Sequence, residues 1–138
     1  MPFHPYLYFN GNCLEAFNRY QEIFGGELFV MKASDAPSDA GVPPDQPDLI
    51  LHAALTVDGD LLMASDDFTG KVGPVEGFYV SYSTADPAEV KRVFDALADG
   101  GEITQPLAET FFSPAFGMCV DRFGTPWMLS AEAAQPPS

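Results

Sequence analysis

Two histidines, two cysteines and a few of the twenty acidic side chains are the first candidates for chemistry in this chain. His52 lies in the run LILHAALTV (49–57), alternating with Ala54 and Thr56. An imidazole there can anchor a ligand by a hydrogen bond or act as a general base near neutral pH. The plainer alternative is a histidine at a cavity edge, bonded to its own neighbours. Glu109 stands in LAETFF (107–112), an otherwise largely apolar run. A buried carboxylate must be paired, hydrogen-bonded or neutralised, so Glu109 is either a surface-edge residue or a site residue. His52 and Glu109 are thus the candidate catalytic residues, as an acid–base pair. Ser113-Pro114 does not set the register of the Glu109 strand, and a slip of one residue would reverse its face. Cys13 falls in the first turn of a helix, where the dipole favours a thiolate. No histidine lies near it in sequence to activate it, so a packed small residue is the better reading. His4 is assigned no role.

The elements that position these residues occur twice. NCLEAFNRYQEIFGGEL (12–28) and DPAEVKRVFDALADGGEI (86–103) share a polar start, a helical apolar rhythm and a closing Gly-Gly-Glu-aliphatic. Each leads to a strand pair ending in a similar phrase, VDGDLLMAS (57–65) and VDRFGTPWMLS (120–130). Two copies are too few for a solenoid, so one domain of two pseudo-equivalent halves is expected. The first half reads as a strand over 3–9, a helix capped by Asn12 with Glu15 in a box-like pair, and a strand over 28–31. The Asp58-Gly59 hairpin then joins strands over 49–57 and 60–65. The apolar stripe of the helix is Ala16, Phe17, Tyr20, Ile23 and Phe24, and Gly25-Gly26 ends it. The second half predicts a strand over 77–83 and a helix from Asp86-Pro87 that buries Val90, Val93, Phe94 and Leu97. Strands over 103–112, 115–120 and 125–130 follow. The modules are placed at about 3–66 and 77–130, with 131–138 a frayed tail. The segment ASDAPSDAGVPPDQPD (33–48) reads as a mobile loop, either a lid or a spacer.

Composition removes several functions. Six basic residues against twenty acidic ones give a formal charge of −14 over 138 residues. Nucleic acid and anionic membrane are therefore poor partners, whereas neutral or cationic small molecules fit. Two cysteines are too few for a disulfide scaffold. The start MPFHPYLYF lacks the features of a signal peptide, and no apolar run reaches the ~20 residues of a membrane span. A cytoplasmic location is expected.

Two β-α-β-β-β modules with a helix reading FNRYQEIFGGEL resemble the vicinal oxygen chelate superfamily of glyoxalase I, extradiol dioxygenases and bleomycin-resistance proteins. The phrases YLYFNGNCLEAFNRYQEIFGGEL, LHAALTVDGDLLMASD, LAETFF and FGMCVDRFGTPWML are similar to its PhnB-like subgroup, over about residues 3–130. The resemblance implies an α+β fold in which two βαβββ modules form a curved mixed sheet around a cavity, with helices on the outer face. It also implies a homodimer, since such proteins pair modules across subunits. The eighteen aromatic residues point the same way. Metal-binding members hold a divalent ion with His or Glu on the first and last strands of each module. Those slots fall here at Pro5, near Tyr79, and at Met63 and Met128. None of them offers an imidazole or carboxylate, so no metal and no other cofactor is expected.

Strand alternation then assigns the cavity wall. A two-residue Asp58-Gly59 turn pairs Ala54 with Met63 and places His52, Ala54, Thr56, Leu61, Met63 and Ser65 on one face. A four-residue turn in the second half pairs Gly117 with Met128 and Ala115 with Ser130, putting Ala115, Gly117 and Cys119 on that wall. Tyr79, Ser81 and Ser83 line it from the fifth strand, and Trp127 and Leu129 face the helix. The expected ligand-binding residues are His52, Met63, Tyr79, Ser81, Gly117 and Met128. Together they predict a metal-independent small-molecule-binding protein of undefined reaction. Drug sequestration of the bleomycin-resistance type, or a metal-free lyase or isomerase using His52 and Glu109, are the alternatives. No G-x-G-x-x-G loop is present, which weakens a methyltransferase reading.

Overall fold

Both helices form where the apolar stripe requires them. Helix α1 (Cys13–Phe24) buries Cys13, Ala16, Phe17, Tyr20 and Ile23, one face at helical spacing. Helix α2 (Pro87–Ala98) buries Val90, Val93, Phe94 and Leu97. The Asp86 carboxylate caps α2, accepting from the Ala88 N–H at 3.0 Å, with proline at the first helical position. Asn12 stands at the N-cap of α1, but its side chain makes no capping bond. After α1, a Cβ on Gly26 would sit 2.1 Å from the Thr56 carbonyl oxygen, at a φ of +84°. Only glycine lets the chain pass that close to the neighbouring strand in this conformation.

This computed structural model describes residues 3–35, 48–67, 69, 73 and 76–132. Its internal contacts divide the chain into two compact units, 1–73 and 74–138. The first carries β1 (Tyr6–Phe9), β2 (Glu27–Lys32), β3 (Ile50–Val57) and β4 (Asp60–Asp66) in the order β1-β4-β3-β2. The second carries β5 (Val80–Thr84), β6 (Glu102–Ala108), β7 (Phe116–Val120) and β8 (Pro126–Ala131) in the order β5-β8-β7-β6. In each sheet the strand ahead of the helix runs parallel to the last strand, and the other pairings are antiparallel. The expected α+β fold of two βαβββ modules is what the chain adopts.

Each helix packs against one face of its own sheet. In the first unit Leu7, Phe9, Ala53, Leu55 and Ala64 are buried on that face, and Phe9 and Phe17 meet edge-on at 6.2 Å between centroids. In the second unit Trp127, Leu129 and Cys119 are buried, and the indole N–H donates to the Asp121 carboxylate at 2.9 Å. That bond satisfies the polar atom a buried tryptophan brings with it.

Several boundaries differ from expectation. Strand β1 starts at Tyr6 rather than residue 3, and β5 at Val80 rather than 77. Strand β6 ends at Ala108 rather than 112. It is an edge strand with register shifts on both sides of Gln105, and Pro106 cannot donate to a ladder. Of the loop expected over 33–48, Ala33–Asp35 forms one 3-10 turn, whereas 36–47 lie outside the described residues. Of the tail expected over 131–138, Ala131 is instead the buried last residue of β8, the Glu132 N–H donates to the Thr84 carbonyl at 2.8 Å, and 133–138 lie outside the described residues. Among the described residues no helix is long and apolar enough to cross a membrane.

Candidate functional site

The Asp58-Gly59 turn sets the first site. Both residues have positive φ, 50° and 86°, and Val57 pairs with Asp60, a two-residue hairpin in which the backbone twist matches the strands. Ala54 then opposes Met63 and Thr56 opposes Leu61, as expected from the sequence. Strand β2 adds Phe29 opposite Ala54 and Met31 opposite His52, and parallel β1 adds Tyr6 opposite Met63 and Tyr8 opposite Ser65. Residues paired across a ladder share a face. The face away from α1 therefore carries Tyr6, Tyr8, Phe29, Met31, His52 and Met63.

His52 is the polar centre of that face. The Tyr6 hydroxyl lies 3.3 Å from its Nδ1, and the two rings stack at 5.9 Å with an interplanar angle of 28°. The Phe29 ring is 6.4 Å from the imidazole, and Tyr6 and Tyr8 are 5.6 Å apart. Tyr6, Tyr8 and Phe29 are 42, 57 and 55% exposed. Such a surface can cover a flat apolar group with its rings and fix one end of it through the imidazole. Tyr6, Tyr8 and Phe29 were absent from the sequence reading of the site. The alternation of YLYF places both tyrosines on one face, but only the parallel pairing of β1 with β4, across more than fifty residues of chain, brings that face beside His52 and Met63.

In the second unit the face away from α2 is built differently from expectation. Met118 opposes Met128, and Phe116 opposes Ser130. Val120 pairs with Pro126, so the β7–β8 connection has five residues, not four. The Asp121 carboxylate shapes it, accepting from the N–H groups of Phe123 at 2.9 Å and Thr125 at 3.0 Å. An odd loop shifts the register by one and turns every β7 side chain to the other face. Ala115, Gly117 and Cys119 thus lie on the side of α2. A Cβ on Gly117 would meet the Phe94 ring of that helix at 2.8 Å, which removes Gly117 from the expected ligand wall. Ser81 pairs with Met128 and shares its face, and Tyr79 precedes β5 with 42% exposure. Phe112 packs edge-on against Phe116 at 4.9 Å. Glu109 is exposed, one residue past the end of β6. The residue standing where His52 stands in the first unit is Phe116, not Ala115, so the asymmetry between the halves persists as imidazole against phenyl.

The four inherited metal positions do not suit an ion. Pro5 lies ahead of β1 with its carbonyl accepting from the Met63 N–H at 3.1 Å. The residue paired with Met63 is Tyr6 and the one paired with Met128 is Ser81. Thioether, phenol and hydroxyl do not make a donor set for a hard or borderline divalent cation. Among the described residues no three His, Cys, Asp or Glu side chains gather as a metal cluster would need.

A buried carboxylate outside this face holds the first unit together. Asp66, at the end of β4, accepts from the N–H groups of Gly11 and Cys13 at 3.0 Å each through one oxygen. Its other oxygen accepts from the Ile50 N–H at 2.9 Å. It caps α1 in place of Asn12. The sequence reading missed it because the capping residue lies more than fifty positions from the helix it caps. Beside it, burial first and the Asp66 charge second push the Cys13 thiol up to about 12.

Comparison with known proteins agrees with this architecture. The family described as 3-demethylubiquinone-9 3-methyltransferase matches residues 2–130. The chain is 34% identical to protein YjdN of Escherichia coli strain K12 over 99% of both chains. The crystal structure of protein PA1353 from Pseudomonas aeruginosa superimposes with a TM-score of 0.85 at 41% identity, covering 96% of this chain and 98% of that one. The PhnB protein of Bacillus cereus does so with a TM-score of 0.72 at 26% identity, over 95 and 99% of the two chains.

Proposed function

Because the chain belongs to the 3-demethylubiquinone-9 3-methyltransferase family, the PhnB-like branch of the vicinal oxygen chelate superfamily, we propose that it binds a small, largely apolar molecule without a metal ion. The observation that carries this reading is the half-open aromatic and thioether face around His52. Exposed rings that touch one another on a sheet face leave apolar area in water, and a planar ligand would remove it. Metal independence is supported by the residues at the inherited positions, Pro5, Tyr79, Met63 and Met128. The methyl transfer in the family's description is not carried over, since the chain has no glycine-rich cofactor loop. The charge of −14 favours a cationic over an anionic ligand, which keeps drug sequestration as the second reading. An acid–base pair of His52 and Glu109 gains no support, because Glu109 is exposed beyond the end of β6.

The test is a thermal-shift screen of neutral aromatic compounds and aromatic cations in the presence of EDTA, followed by titration of the best binder into His52→Gln. Stabilisation by neutral compounds in EDTA supports the leading reading, and stabilisation by cations alone supports sequestration. The variant should melt close to the wild type and bind several-fold more weakly, as loss of a hydrogen bond of ~1 kcal/mol requires. Stabilisation that returns only when a divalent metal is added would refute metal independence. Unchanged affinity per folded molecule would make His52 structural.

A further inference from the structure

The contact between Tyr6 and His52 bears on what the site selects. A neutral imidazole has one nitrogen that donates and one that accepts, and the hydrogen bond made by the first nitrogen sets the role of the second. The Tyr6 hydroxyl lies 3.3 Å from Nδ1. A phenol is a far stronger acid than a neutral imidazole N–H and a poor acceptor, so the stable arrangement has the hydroxyl donating to Nδ1. The proton then resides on Nε2. Among the described residues, those paired with His52 or in ring contact with it carry no carboxylate or ammonium to oppose this. Met31 stands across from it on β2, and Phe29 lies beside that residue on the same face. Tyr6 reaches it from β1, and one step beyond the Ala53–Ala64 pair the β4 residue opposite is Ser65.

We propose that Tyr6 is a positioning residue that fixes His52 as an Nε2–H donor, so that the face selects planar apolar molecules ending in a hydrogen-bond acceptor such as a ketone carbonyl. This rests on the ligand-binding reading above and adds the polarity of the ligand. The acceptor end is held by His52, and the apolar body lies over the rings of Tyr6 and Phe29. A shape-matched compound without the acceptor leaves the Nε2–H unpaired when it covers the site, which costs affinity.

Two measurements test it. The chain has only two histidines, His4 and His52, so long-range proton–nitrogen correlation of protein labelled with nitrogen-15 histidine resolves both. His52 should show an unprotonated Nδ1 and a protonated Nε2 above pH 8 in the wild type. In Tyr6→Phe it should move toward a mixture of tautomers, with His4 unmoved as internal reference. A protonated Nδ1 in the wild type, or a tautomer unchanged by Tyr6→Phe, overturns the proposal. The second measurement titrates 2-acetylnaphthalene and 2-isopropenylnaphthalene, which differ only in C=O against C=CH2, into both proteins. The wild type should prefer the ketone about fivefold. Tyr6→Phe should lower the affinity ratio between the ketone and the compound without the acceptor, by about twofold if half of its molecules then carry the proton on Nδ1. Equal binding of the two by the wild type leaves the ligand-binding reading standing and overturns the donor assignment. Binding of neither overturns the proposed selectivity for neutral planar acceptors, while the ligand-binding reading stands or falls with the thermal-shift screen above. Tyr6 is exposed at 42%, so its substitution should not unfold the chain, and a melting curve checks that.

Discussion

At Cys13 two effects oppose each other, and their sizes decide the outcome. The helix N-terminus favours a thiolate by about 1 kcal/mol, which is under one pH unit. Complete burial and the neighbouring Asp66 carboxylate work the other way and leave the thiol at about 12. Cys119 is pushed up to about 11 by burial and then by Asp121. Neither is a nucleophile at physiological pH. A thiol raised in the folded state contributes stability that is fully present below its unfolded value of 9.0 and lost as pH rises through about 12. Urea midpoints should therefore begin to fall above pH ~9, and Cys13→Ala should make that fall shallower. At pH 8 neither thiol should react with a disulfide reagent until urea unfolds the chain. Rapid reaction of the native protein would show that one of them is not buried as described.

At the scale of elements, Asp66 joins β4 to the start of α1 and to β3 through three backbone N–H groups. Asp66→Ala leaves the Cys13 and Ile50 N–H groups without an acceptor in a buried site, at about 1–3 kcal/mol each, whereas water can reach the part-buried Gly11 N–H. A loss of roughly 3–5 kcal/mol in urea unfolding is expected. Asp66→Asn keeps one acceptor oxygen and should lose less. A drop under ~1 kcal/mol for the alanine variant would mean that water replaces the carboxylate at no cost. The comparable device in the second unit is Asp121, which holds Phe123, Thr125 and the Trp127 indole. It also explains why the register of β7 could not be counted from the sequence. Gly124 marks a turn, but whether four or five residues span it depends on a side chain folding back onto the backbone.

For the molecule as a whole, charge and exposed apolar area pull in opposite directions. A charge of −14 disfavours self-association at low salt. Yet Phe3 and Phe111 are 90 and 100% exposed. The expected resolution is a homodimer that covers part of this surface, with the repulsion screened at physiological ionic strength. Sedimentation at micromolar concentration should show a species of twice 14.9 kDa, tightening as salt is raised. A monomer at all salt concentrations would sink this expectation.

By itself the sequence determined the elements and one of the two sheet faces. Helical stripes depend on spacing within a dozen residues, and the Asp58-Gly59 turn has one favoured geometry, so His52 and Met63 could be placed on a common face from local rules alone. What lay beyond those rules needed the tertiary structure. The parallel pairing of β1 with β4 sets Tyr6 against His52, and the capping of α1 comes from Asp66 at the far end of the unit. The five-residue loop at Asp121 turns Gly117 toward α2 and Met118 away from it. Each of these depends on contacts between residues distant in sequence or on a side chain bonding to backbone, and a strand's period of two converts a one-residue uncertainty into a complete exchange of faces.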